Sequence, residues 1–170
     1  WKARALQMAA IYRDYVLATG KGIAPWMVNT ETLHLAYDLT GDPSYKTAIS
    51  IASKAMADQG RKGSLEAYRN AYWVGGTIGD DRMRSRVITS MIDATELGID
   101  FRTQFAPEDL ASSVSAVLAT QGANGQFGGT FYLGGQKTYM SAMLLTALTR
   151  YYDEITPDPR MPAAVKRWID

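Results

Sequence analysis

The chain has no cysteine among its 170 residues, and His34 is its only histidine. Disulfides, thiolate metal sites and cysteine nucleophiles are thereby excluded, as is a metal site built from several histidines. Net charge is almost absent too: 18 basic residues face 17 acidic ones, leaving +1. A protein held to nucleic acid by phosphate attraction would carry a basic excess, so nucleic acid is not expected as a partner. Long apolar runs are also missing. The richest stretch, residues 140–148, is interrupted by Ser141 and Thr146. It falls well short of the roughly 18–20 residues of a membrane span. The glycine-rich segment lacks the Lys-Ser/Thr ending of a phosphate loop. Ser112, Ser113 and Ser115 lack the Gly-x-Ser-x-Gly setting of a hydrolase nucleophile. Neither a cofactor nor a metal is expected.

What is present is an ordinary globular composition, 46% hydrophobic and 21% charged, in a length that suits one domain spanning 1–170. The chain begins at Trp1 and stops inside a helical pattern, so it reads as part of a longer polypeptide or a processed product. The dominant periodicity is helical. Spacings of three and four predict an amphipathic helix over 2–18 and others over 26–39, 42–56, 64–75, 81–97, 107–120, 136–154 and 159–170. Gly20 to Gly22 and Gly60 to Gly63 read as turns. Pro107 suits the first position of its helix, followed by Glu108 and Asp109 in the first turn. Residues 121–135 read as irregular or as a short hairpin. No stretch reads as a sheet.

A repeat underlies the helices. Thr40-Gly41-Asp42-Pro43 closes one helix and opens another, Ile78-Gly79-Asp80-Asp81 does so 38 residues later, and Thr156-Pro157-Asp158-Pro159 follows after a further 78. Glycine supplies the left-handed residue that ends a helix, aspartate accepts from the orphan amides of the next, and proline has no N–H to lose. These aspartates therefore read as caps. Two helices per repeat make antiparallel hairpins, and stacked hairpins form an arc or ring with a shared core. The expected fold is all-α, about eight helices in an α/α arc or partial toroid.

Two stretches carry a family resemblance: Glu31-Thr32-Leu33-His34-Leu35-Ala36-Tyr37-Asp38 through Pro43-Ser44-Tyr45, and Tyr139-Met140-Ser141-Ala142 through Tyr151-Tyr152 to Asp158-Pro159-Arg160. They resemble α/α-toroid proteins that act on carbohydrates, such as polysaccharide lyases and six-hairpin glycosidases. The segment Gln121…Gly125-Gln126-Phe127 is similar to the Gln-x-x-x-Gly-x-aromatic loop of toroids such as terpene cyclases, without their Asp-rich metal motif. The resemblance implies a polysaccharide or oligosaccharide partner and favours an extracellular or periplasmic location.

It also implies a chemistry. Toroid lyases abstract a proton beside a uronate carboxylate, which needs a base and a group to neutralise that carboxylate. His34 or Tyr37 would be the base, and Asn29 or Arg69 the neutraliser. Tyr68, Asn70, Tyr72, Trp73, Phe127 and Tyr132 would bind the sugar, since aromatic rings stack on pyranose faces. The competing reading makes Tyr37, Tyr72 and Trp73 packing residues and His34 a hydrogen-bonded structural histidine. Glycoside hydrolysis would instead use two carboxylates; Glu31, Asp38, Glu66, Asp93, Glu96 and Glu154 lie outside the capping turns, none in a distinctive motif. Arg82, Arg84 and Arg86 read as a solvated basic face. A non-catalytic assembly subunit is the alternative function. Its terminal hairpins and glycine-rich loop would make protein contacts, by self-association or with flanking domains.

Overall fold

The computed structural model describes residues 1–21, 28–62, 81–104, 109–127 and 138–170. Within them the chain is helical: α1 (Lys2–Thr19), α2 (Thr30–Thr40), α3 (Pro43–Lys62), α4 (Asp81–Glu96), α5 (Leu110–Leu118), α6 (Thr138–Arg150) and α7 (Arg160–Ile169). Among the described residues no strand forms, and the single antiparallel bridge joins Gln121 to Phe127. No helix there is long and apolar enough to cross a membrane. The predicted helix over 64–75 lies outside the described residues.

Local chemistry sets the ends. Gly20 and Gly41 take left-handed φ of 65° and 68° and close α1 and α2. The Asp42 and Asp158 carboxylates accept from the backbone N–H groups of Ser44 and Arg160, each at 2.9 Å, Asp42 directly before Pro43 as the repeat predicts and Asp158 one residue ahead of Pro159, which is itself the cap of α7. Several boundaries differ from expectation. Helix α2 starts at Thr30 rather than residue 26, because Asn29 stands outside it as a cap. Helix α3 runs through Gly60 to Lys62, past the expected turn. Helix α5 starts at Leu110 with Asp109 as its cap, the Asp109 side chain accepting from Ser112 N–H at 2.7 Å, so Asp109 precedes the first turn instead of sitting in it. At the far end of α6 the bonding widens to i→i+5 over Tyr151–Ile155, where Thr156 N–H donates to Tyr151 O at 3.0 Å.

Two apolar clusters hold these helices. The smaller one joins α1, α2 and α3 through Ala9, Val16, Leu33, Ala36, Ala48, Ile49 and Ala52. The larger one joins α4 to α5, α6 and α7 through Val87, Ile88, Met91, Ile92, Val114, Leu144, Leu148 and Met161, with Met56 of α3. Ile99 packs against both. Helix α4 is the hub, in contact with α2, α3, α5 and α6. That position corrects the reading of its arginines: Arg84 is fully buried, with its guanidinium 3.5 Å from the equally buried Asp81 carboxylate. Helix α1 also departs from a simple amphipathic pattern. Ala9 and Val16 are buried, while Trp1, Met8, Ile11 and Tyr15 are exposed on a neighbouring strip.

Candidate functional site

Charged side chains converge where α2, α4 and the end of α6 meet. Helix α2 contributes Glu31, His34 and Asp38, which share a face at spacings of three and four. Helix α4 contributes Arg86, Asp93 and Glu96, spaced seven and three. Arg150 is the last residue of α6, and Glu154 follows one wide turn later. His34 Nδ1 lies 3.2 Å from Asp93 Oδ1 and 3.5 Å from Glu96 Oε2, while its Nε2 faces the Asp38 carboxylate at 3.8 Å. Arg150 reaches the same two oxygens with Nη2, at 3.1 Å for Asp93 Oδ1 and 3.0 Å for Glu96 Oε2. Its Nε donates to Glu154 at 2.7 Å and its Nη1 to Glu31 at 3.4 Å. Arg86 sits 3.9 Å from Glu31.

The electrostatics follow from this crowding. The hydrogen bond to Asp93 raises the His34 pKa above its usual 6.5; burial opposes the shift, and the charges of Asp93, Asp38 and Glu96 add to it. The fold therefore favours the imidazolium. Burial raises the Glu96 pKa, with Glu154 adding repulsion and Arg150 and His34 offsetting part of it. Burial works against the Arg150 charge, but Asp93 and Glu154 outweigh it and raise its pKa. Asp93 is the deep member. Its side chain is 1% exposed, and its Oδ2 has no hydrogen-bond partner among the described residues.

The sequence-predicted residues scatter around this cluster. His34 is in it. Tyr37, one turn further along α2, packs against the smaller apolar cluster instead. Asn29 is engaged as the α2 cap, its Oδ1 accepting from Thr32 N–H at 3.2 Å, so its carbonyl already has a structural partner. Phe127 is 2% exposed inside the larger core, which leaves no ring face for a sugar to stack on. Arg69, Tyr68, Asn70, Tyr72, Trp73 and Tyr132 lie outside the described residues. The segment singled out at Gln121 is a latch to α7. Gln121 Nε2 donates to Gly125 O at 2.9 Å and to Ala164 O at 2.8 Å, and Arg167 donates to its Oε1 at 3.1 Å. Two open grooves, of about 580 and 450 Å³, flank the Tyr151–Ile155 turn, and neither is lined by His34, Tyr37, Asn29 or Phe127.

Of the six carboxylates set aside for glycosidic chemistry, five meet in this cluster: Glu31, Asp38, Asp93, Glu96 and Glu154. Arg150 was not singled out from sequence at all. Each helix showed its own polar face, but His34 and Asp93 are 59 residues apart and no local spacing says that those faces meet.

The fold and the cluster define an all-α helical protein with a partly buried acid–base and ion-pair network at a three-helix junction. No family model, curated protein or solved structure matches the chain.

Proposed function

We propose that this chain is a non-catalytic helical module that assembles by pairing two copies of itself through α1. The observation that carries the reading is the exposed apolar strip on that helix. Trp1 is 94% exposed and Met8 and Ile11 are each 58% exposed, and with Tyr15 they fall at spacings of seven, three and four. Exposed apolar side chains gathered on one face, here with Arg4 among them, are a feature of interaction surfaces.

The strip is also self-complementary. An antiparallel pair centred between residues 9 and 10 sets Met8 against Ile11 of the second copy and Trp1 against the small Ala18 of the second copy. It sets the Arg4 guanidinium against the Tyr15 ring of the second copy, one position from that copy's Asp14. One patch meets itself, as a two-fold contact requires. Helix α1 is about 27 Å long and carries Met8, Ile11 and Tyr15 along one face, with Trp1 immediately before its first residue. The α2–α3 pair, joined by a two-residue link and packed together, is consistent with the stacked-hairpin arc that belongs to this reading.

Sedimentation across a wide concentration range tests the proposal. The chain is expected to shift from one to two copies as concentration rises, and Ile11→Glu to remain a single copy with unchanged helicity. A native chain that stays single throughout, or an Ile11→Glu chain that still pairs, overturns it.

A second reading, a polysaccharide-processing domain of the uronate-lyase kind, is favoured by one observation: His34 and Glu96, both with raised pKa values, meet at the solvent edge of the cluster. It is weakened by the company they keep, because the surrounding carboxylates repel an anionic polymer. If it holds, the chain releases unsaturated products from a uronate polymer, and His34→Ala or Tyr37→Phe removes most of that release. Activity surviving both substitutions ends the lyase reading.

A further inference from the structure

We infer that His34, Asp93 and Glu96 form a binding site for a divalent transition cation of the zinc type, with Arg150 occupying the ion's place in its absence. The inference does not rest on the pairing of α1.

The ligand set comes first. One imidazole nitrogen and two carboxylate oxygens lie within 4.8 Å of one another. Nitrogen with carboxylate oxygen is a donor set that zinc accepts. Ligands about 2.0–2.2 Å from a tetrahedral ion stand roughly 3.3–3.6 Å apart along each edge. His34 Nδ1 is already 3.2 Å from Asp93 Oδ1 and 3.5 Å from Glu96 Oε2. Small side-chain movements close the site, and Glu96, whose side chain is 27% exposed, puts it at the solvent edge.

Asp93 supplies the second, independent observation. A carboxylate oxygen buried without a hydrogen-bond partner is costly to fold around. Asp93 Oδ2 is such an atom among the described residues, on a side chain whose other oxygen is the hub of the cluster. A cation held by both oxygens of this carboxylate would give Oδ2 the partner it lacks. Outside the ligands, Asp38 faces Nε2 of His34 at 3.8 Å, the side opposite Nδ1. At that distance the Asp38 charge acts on the ring, and closing to hydrogen-bond distance would let it hold the tautomer and orientation of a ligating histidine.

Charge completes the case. Five carboxylates crowd the junction against two arginines and one histidine. Arg150 Nη2 now bridges the two oxygens that would ligate. Displaced from them, the guanidinium keeps its bonds to Glu154 through Nε and to Glu31 through Nη1. The ion takes the place of the proton on Nδ1 and of the Nη2 contact: two positive charges enter, one leaves with the proton, the guanidinium stays on Glu154 and Glu31, and the five carboxylates gain one net positive charge.

Calorimetric titration of the tag-free chain with zinc chloride, with native mass spectrometry for stoichiometry, tests this. One ion per chain is expected. Glu96→Gln and His34→Gln should each weaken binding about tenfold or more, and Asp38→Asn should weaken it while leaving the stoichiometry at one. Arg150→Gln should tighten binding, since it removes the competing cation. Glu96→Gln is isosteric and partly exposed, so it keeps the test readable if His34→Gln unfolds. A folded chain that takes up no stoichiometric zinc overturns the inference. So does zinc binding that Glu96→Gln leaves unchanged, or an Arg150→Gln chain that binds more weakly than the native one.

Discussion

Arg84→Met is expected to lower stability by about 3–5 kcal/mol, the cost of removing one partner from a buried ion pair. Both side chains of the Asp81–Arg84 pair are 0% exposed, and the guanidinium stands 3.5 Å from the Asp81 carboxylate and 3.5 Å from the Thr120 hydroxyl. Ser141 donates to the other Asp81 oxygen at 2.8 Å, so the carboxylate ties α4 to α6 as well. Methionine fills much of the arginine's apolar volume, and the loss is therefore one of charge more than of packing. For a chain of this size each kcal/mol moves the midpoint of thermal unfolding by about 2–4 °C, so a fall near 10 °C is expected. The double variant Asp81→Leu/Arg84→Met should recover part of that loss, because Asp81 is then no longer left as a buried carboxylate without the Arg84 charge. Thermal and denaturant unfolding of the three variants measures the coupling. A change in Arg84→Met as small as an ordinary surface substitution would show that the pair contributes little.

That same arginine shows where sequence reasoning reached its limit. Three arginines at alternate positions in a near-neutral chain look like a wet face, and two of them, Arg82 and Arg86, are partly exposed. Arg84 is buried because α4 is surrounded by α2, α3, α5 and α6, and the number of neighbours around a helix is a property of topology that its own periodicity does not carry. The same limit applies at the cluster. Glu31, His34 and Asp38 form a readable stripe on α2, and Asp93 with Glu96 a readable stripe on α4, yet their meeting depends on packing across 59 residues.

What was readable was local. Glycine at left-handed positions, the Asp42 cap, the Asp158 carboxylate accepting from Arg160 N–H just ahead of the Pro159 cap, and apolar spacing through Ile49, Ala52, Ile88 and Ile92 all report on a few neighbouring residues. Asn29 belongs to the same local chemistry. Its reach to the Thr32 amide is the ordinary behaviour of a residue before a helix, and it accounts for the residue type without a substrate.

Gly125→Ala is expected to undock α7 and to cost substantially more than the same change at any other glycine with positive φ described here. Two effects act together. Gly125 has φ of 78°, a conformation that costs an L-residue about 1–2 kcal/mol. A Cβ there would also meet the Arg167 carbonyl oxygen, with the carbonyl carbon at 2.8 Å and Trp168 Cα at 2.9 Å. These are backbone atoms of α7, so no rotamer change relieves the clash and the helix itself must move. Moving it breaks the Gln121 bridge to Ala164 and the Arg167 bond to Gln121, and it lifts Met161 and Ala164 from the core. Burial of Met161 alone contributes about 1.5–3 kcal/mol. Gly20 and Gly98 separate the two effects, because they have φ of 65° and 64° with nothing within 4 Å of a Cβ. Gly20→Ala and Gly98→Ala should therefore show the backbone strain by itself, about 1–2 kcal/mol. Gly125→Ala should show that strain plus the loss of α7 packing, about 3–5 kcal/mol in all, with faster amide exchange confined to α7 and residues 121–127. Equal losses at the three glycines would mean that α7 does not pack against the Gln121–Phe127 turn in solution. That would remove the latch through which the turn and the last helix hold each other in place.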